Sequence, residues 1–529
     1  MRFPVFLALA RHACPLMAFS LGGPAAMGSA AFLVLSGATV QADASLHLEV
    51  TLDHLVKISD VALEGTPEEA HSLWEDVPGG GRRIVTYTRV HVLQKAYGEA
   101  SPDVWIRTLG GQVGDIGQKV EGEAQLVPGE RSVLFLKAFP EGSMRVVEMA
   151  QGQYLVKREE KEDRLLLSPY LGKVIPSRDQ KERARAARVL LHGRPLGEAM
   201  AAIRQARKDA GRLIMGNFRS RTVLLVALLS APVPAAAFCR TWSCDPAKGS
   251  CPQDKDNPAC LGGDPAKNHK PLYWPQRCIG FSLHEKASAK LDSNPDRARA
   301  KFMRIANLSF ATWQQADCGQ GKRPSLSFYD LGFVSCDRQE FNGYNPDNAG
   351  RPTAQGNANL IVFRDKWPVE YASAGNTLAL TTLTFNIQSG EIYDADIEIN
   401  GEVMITTSDV TVTNDLQSIL THEIGHFLGI AHSPDPTATM FATYEPGSLS
   451  LRDLAPDDIN AVCSIYGPER TGLPACDPTP RHGYAERCAV PAPPPEGCSA
   501  AGHAGGVAGG VAFAWIAGAM VVGARRRRH

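Results

Sequence analysis

The sequence predicts an α+β fold, and three observations carry that prediction. Residues 45–175 alternate short β-rich runs with glycine-rich turns. Residues 278–399 hold further strand-like runs around one amphipathic helix. Apolar residues then recur at helical spacing through Leu416, Ile419, Leu420, Ile424, Phe427 and Leu428. A chain of 529 residues exceeds what one core usually serves, so two or more domains are expected.

Each element follows in chain order. Residues 1–44 combine Arg2 and Arg11 with apolar stretches and end on small residues, the order of a secretory leader. Residues 45–175 read as a small β-rich domain, a barrel or sandwich, with strands at Arg83–His91, Val104–Leu109, Ser132–Leu136, Arg145–Met149 and Tyr154–Val156. Asp53, His54 and Asp60 lack ligand spacing and read as surface residues. Residues 176–214 form a charged helical linker, expected to be solvated.

Residues 215–237 repeat the leader pattern inside the chain: Met215, Arg219 and Arg221, an apolar run, then Ala235-Ala236-Ala237. That run is too short to span a bilayer, and Pro232 and Pro234 break a helix. The expectation is two secreted proteins, 1–214 and 215–529, joined in one reading frame. Residues 238–270 are a Cys-rich segment, 271–470 the domain with the chemistry, and 471–497 a Pro-rich linker.

The tail, 498–529, opens on Cys498, continues as an apolar stretch and ends on Arg525–Arg528. That arrangement resembles C-terminal sorting signals of the MYXO-CTERM type, which implies display at the cell surface; a plain tail anchor is the alternative. Twelve cysteines fall almost entirely after residue 238, and their open spacing favours disulfides over a zinc cluster. Setting Cys14 and Cys498 aside leaves ten, with connectivity undetermined. An exported protein, at the cell surface or outside it, is expected. A net charge of −1 excludes a general electrostatic attraction to nucleic acid.

The chemistry sits in the segment Thr421-His422-Glu423-Ile424-Gly425-His426-Phe427-Leu428-Gly429-Ile430-Ala431-His432. Asn414 or Asp415 caps the predicted helix. On it His422 and His426 stand one turn apart on one face, so both imidazoles reach one metal. Gly429 lets the backbone leave the helix and bring His432 round as third ligand. Three neutral ligands leave a coordination position open, as a catalytic zinc requires, and Glu423 stands beside the first ligand as general base. The full spacing arises by accident in about one chain in 10⁴ or fewer, which sets unrelated surface histidines aside.

This motif resembles the extended zinc signature of the metzincins. Met440, eight residues after His432, fits that family's methionine turn, a floor under the metal and not a ligand. Ser433 and the stretch Leu454–Asn460 leading to Ile465-Tyr466-Gly467 narrow the resemblance to the matrixins, with a final helix ending near Pro468. The resemblance implies a metzincin-type catalytic domain: a twisted, mostly parallel sheet, a zinc-site helix and a C-terminal helix, here preceded by a separate small all-β domain.

Upstream the residues read as strands at Cys278–Glu285, Ser325–Tyr329 and Asn359–Phe363, with a helix capped by Ser293 or Asn294, and Leu378–Phe385 and Glu391–Ile399 resemble the family's edge strand and the strand after it. Leu378–Phe385 resembles the edge strand on which substrate adds as an extended strand. Asp394, Asp396 and Glu398 share one face, either as a calcium site or as solvated strand carboxylates. A second zinc site and a cysteine-switch propeptide are not evident; Pro275-Gln276-Arg277-Cys278 abuts the first strand, and a disulfide is expected for Cys278.

The implied activity is zinc-dependent hydrolysis of peptide bonds in extracellular proteins. The implied cofactors are zinc and, as a second candidate, calcium; the partners are protein or peptide substrates, with membrane contact through the tail. Two rivals remain: a non-catalytic surface-binding module on the same scaffold, and an N-terminal β domain acting as partner or inhibitor.

Overall fold

The chain is described by a computed structural model over residues 46–484, apart from 77–81, 213–237, 338–356, 369–375, 442–446 and positions 160, 172, 178, 250, 256, 258 and 482. Both leader-like segments and the tail therefore lie outside the described residues. Among the described residues no helix is long and apolar enough to cross a membrane.

The first half opens with β1 (Leu46–Leu48) and α1 (Leu52–Ile58), capped by Thr51, whose side chain accepts from the His54 amide. β2 (Val61–Asp76) and β3 (Arg82–Tyr97) form a long antiparallel hairpin. β4 (Asp103–Leu109) follows, then a short hairpin of β5 (Gly111–Val113) and β6 (Ile116–Val120). β7 (Ser132–Ala138), β8 (Met144–Val146), β9 (Gln153–Glu159), β10 (Glu162–Leu167) and β11 (Lys173–Ile175) complete the strands. The helices α2 (Gln180–Arg183), α3 (Ala187–Leu191) and α4 (Leu196–Arg212) end this half.

Seven of these strands run in the order β10-β9-β7-β2-β3-β4-β8, and β8 pairs back onto β7. They curl around Val61, Leu63, Ile106, Leu134 and Leu136. α4 is not simply solvated: Ala199, Met200 and Ile203 pack with Leu55 and Phe135 in a second cluster. Its charged residues occupy the remaining faces, the usual amphipathic solution.

The second half supplies β12 (Cys278–His284), α5 (Pro295–Gln314), β13 (Ser327–Val334), β14 (Leu360–Arg364), β15 (Thr377–Asn386) and β16 (Ile392–Asn400). A two-stranded ribbon, β17 (Ile405–Thr406) with β18 (Asn414–Asp415), leads into α6 (Leu416–Phe427), and α7 (Pro456–Ile465) follows. β12 lies parallel to β13 and β14, β14 parallel to β16, and β15 antiparallel to β16. β12 and β16 are buried along their whole length, as strands covered on both faces must be. Asn294 caps α5 by accepting from the Arg297 amide, and Pro295 follows at the first position. The helix turns Phe302, Ile305, Ala306, Phe310 and Trp313 into the core.

The reading of a separate all-β domain meets a different arrangement. β1 and β6 both pair antiparallel with β15, so the sheet reaches nine strands and draws from both halves of the chain. The described residues belong to one compact unit. Strand edges are adhesive because their N–H and C=O groups are unpaired, and β15 satisfies its outer edge with strands from 260 or more positions away.

Four disulfides lie among the described residues: Cys239–Cys260, Cys244–Cys251, Cys278–Cys476 and Cys318–Cys463. The bond expected of Cys278 is one of them. The long-range pairs tie α5's end to α7 and the first strand to the segment after the core.

Candidate metal centre

α6 is positioned before its chemistry begins. Asp415 caps it, accepting from the Ser418 amide at 2.9 Å, and Arg452 grips the same buried carboxylate through two nitrogens at 2.7 and 2.6 Å. Of the two candidate caps, Asp415 takes the role, while the Asn414 amide reaches the Met404 carbonyl. The indole nitrogens of Trp313 and Trp274 donate to the carbonyls of Thr421 and Phe427, each at 2.8 Å. The helix is thus fastened at its start, middle and end.

His422, His426 and His432 are brought together, each at most 2% exposed. The Nδ1 of His422 donates to the Thr439 carbonyl at 2.7 Å, and that of His426 to the Ile430 carbonyl at 2.8 Å. These bonds select the tautomer and aim the Nε2 lone pairs inward. The Nε2 of His422 lies 3.0 Å from that of His426 and 3.1 Å from that of His432. Lone pairs facing one another at that distance repel, and a divalent cation among them turns repulsion into binding. The donor set, three neutral imidazoles, suits zinc.

Two glycines make this geometry accessible. Gly429 has φ +78°, and a Cβ there would lie 2.7 Å from the Leu272 carbonyl oxygen. Gly425 lies where Met440 crosses under the helix, and a Cβ on it would meet the Met440 Sδ at 2.2 Å. The predicted methionine floor is therefore a close approach between a thioether and a bare backbone.

The Met440 turn is held from α7. Asp458 accepts from the amides of Thr439 at 2.7 Å, Met440 at 2.9 Å and Ala455 at 2.9 Å. Asp457 accepts from the Ser433 hydroxyl at 2.5 Å, and burial pushes its carboxyl up to about 6. The acidic start of α7 thus fixes both the turn and the residue after His432.

Glu423 is fully buried beside the histidines, and its Oε2 accepts from the Thr381 hydroxyl of β15 at 2.5 Å. Thr381 escaped sequence reasoning, because a threonine in a strand of threonines carries no signal of its own.

The acidic face of β16 is the other departure. Asp394, Asp396 and Glu398 do share a face, but all are at most 2% exposed, so the solvated alternative does not hold. Glu398 pairs with Arg364, and Asp396 accepts from the Leu360 amide at 2.6 Å. Burial pushes Asp394 up to about 7 and Asp396 well above the ordinary carboxylate range. Asp394 and Asp396 face each other's charge on this buried face, an arrangement that calls for a shared proton or a cation.

Comparison with known proteins finds relatives for one segment of the chain. Residues 364–467 match the family model described as Matrixin. A probable matrix metalloproteinase of Invertebrate iridescent virus 3 is 35% identical over 105 residues, 20% of this chain and 26% of that protein. Metalloendoproteinase 1 of Glycine max is 40% identical over 75 residues, 14% of this chain and 24% of its own length. Neutrophil collagenase of Homo sapiens is 34% identical over 85 residues, 16% of this chain and 18% of its own. The chain spans about a quarter of the length of the first two of these relatives. The segment from the last residue of β14 to the end of α7 is matrixin-like, and it is the segment that holds the three histidines.

Proposed function

We propose that the protein is a zinc-dependent endopeptidase that hydrolyses peptide bonds in extracellular proteins. The observation that carries the reading is the convergence of three buried Nε2 atoms beside a buried glutamate. His422, His426 and His432 would hold the metal. Bound zinc supplies Lewis acidity and makes water a nucleophile near neutral pH. Glu423 takes the water proton as general base and returns it to the leaving amine. Thr381 holds the Glu423 carboxylate toward β15, the strand along which an extended peptide would pair.

The disulfides support an oxidising compartment, in keeping with export. Calcium remains a candidate for the Asp394–Asp396 pair, whose buried oxygens suit a hard cation.

The test is cleavage of unstructured peptides by zinc-loaded protein and by its Glu423→Ala variant. The variant is expected to bind zinc with unchanged stoichiometry and to lose turnover. Zinc binding without cleavage in every form, including variants that free the outer edge of β15, would favour the non-catalytic binding module instead.

A further inference from the structure

We propose that the N-terminal half holds the enzyme latent by lying along the strand edge that substrate needs; this rests on the endopeptidase reading above. The partners of the β15 edge are then two segments of the same chain, residues 46–48 and 116–121.

β15 has two edges. One pairs with β16 along seven positions. The other should be open for an extended peptide, because β15 itself sets Thr381 on the Glu423 carboxylate and so runs beside the base. That outer edge is filled from both ends. β1 pairs Leu46 with Ala379 and His47 with Thr377. β6 pairs in unbroken register from Val120 opposite Thr382 to Ile116 opposite Asn386. Between them the Glu121 amide donates to the Thr381 carbonyl at 3.2 Å, so the backbone beside the general base is engaged too. A peptide cannot form these main-chain bonds while β1 and β6 hold them.

The filling strand is fitted and not merely adjacent. Gly117 faces Phe385, and a Cβ there would lie 2.5 Å from the ring. Gln118 bridges two sheets, accepting from the Ile84 amide at 2.7 Å and donating to the Thr384 hydroxyl at 3.2 Å. The far side of the hairpin is clasped by the Cys-rich segment: Gln112 donates to the Ser243 carbonyl and accepts from Lys248, each at 2.8 Å.

The chain also avoids presenting its own bond for cleavage. After Val120 it turns, with the Glu123 amide donating back to the Val120 carbonyl and Gly122 at φ +80°. The strand thus leaves the edge at Thr381 without crossing it. Latency by this route needs no cysteine on the metal, in keeping with Cys278 being tied to Cys476.

The experiment uses the full chain, zinc-loaded, with fluorogenic unstructured peptides, in wild type and in two variants, Gly117→Val and Lys119→Pro. Valine would wedge β6 from Phe385, and proline would remove an amide from the strand paired at Leu383. An intramolecular strand competes at an effective concentration near millimolar, so freeing the edge should raise kcat/KM about tenfold or more. Equal rates in wild type and folded variants would overturn the proposal.

If no form cleaves although zinc binds, the endopeptidase reading fails by itself. Fluorescence anisotropy with the same peptides then decides: binding to the variants but not to wild type supports the filled edge, and equal binding overturns it. If the variants do not fold, hydrogen exchange on wild type decides. Protection of the Leu383 and Phe385 amides, which face β6, equal to that of β16 supports pairing, and free exchange at those two overturns it.

Discussion

At the scale of single residues, the centre depends on side chains that are small or short for stated reasons. Glu423→Ala removes the proposed general base and leaves the three histidines in place, so turnover should fall about 10²–10⁴-fold while zinc stoichiometry holds. Isothermal titration with zinc beside a peptide assay checks both halves of that statement. Gly425→Ala is a different kind of test, because its methyl would overlap the Met440 Sδ. Overpacking of this sort should cost about 1–3 kcal/mol and weaken zinc binding, read by thermal unfolding with and without metal. The three histidines and Glu423 were legible as a group because His422, Glu423 and His426 share one stretch of α6 and the turn at Gly429 returns His432 to them within a few residues. Thr381 and Gln118 were not, since their roles arise from contacts with residues distant in sequence.

At the scale of elements, legibility followed local pattern. α5 and α6 carried caps and apolar periodicity, and both formed with the caps the sequence offered, Asn294 and Asp415. β2 escaped notice because Pro67, Glu68 and Glu69 interrupt its alternation; the strand absorbs them as a register shift against β3. On β16 the alternation of Asp394, Asp396 and Glu398 was legible but their burial was not. The cover comes from elsewhere: the Asn357 amide reaches the Tyr393 carbonyl, and the Leu360 amide reaches Asp396.

That burial has a pH consequence. A carboxyl raised by burial binds its proton more tightly folded than unfolded, so it stabilises the fold below the ordinary Asp range. The contribution is lost as pH rises through about 7 for Asp394. Metal-free protein should therefore lose thermal stability between about pH 4 and pH 7. Asp394→Asn should flatten that decline, measured by thermal unfolding across the range.

At the scale of the whole molecule, the sequence suggested two proteins joined in one frame, and residues on both sides of 213–237 share one sheet. β6 is five residues long, and β1 three, so neither announces a partner in sequence. Pairings that span this much chain are set by tertiary fit and not by local propensity. Cleavage engineered within 213–237 should consequently leave 46–212 and 238–484 bound to each other. Size-exclusion chromatography after cleavage checks this: one peak with both fragments is expected, and two separate peaks would show that the shared sheet does not hold them.

The central claim, a zinc centre with Glu423 as its base, is tested most directly in the full-length Gly117→Val chain, where the strand edge is expected to be open. Peptide cleavage is measured after metal removal, after one equivalent of zinc is returned, and again with Glu423→Ala added. Cleavage should be absent without metal, recover at one zinc per chain, and fail to recover in the Glu423→Ala form despite equal zinc uptake. Cleavage that survives metal removal, or persists at full rate in the Glu423→Ala form, would contradict it.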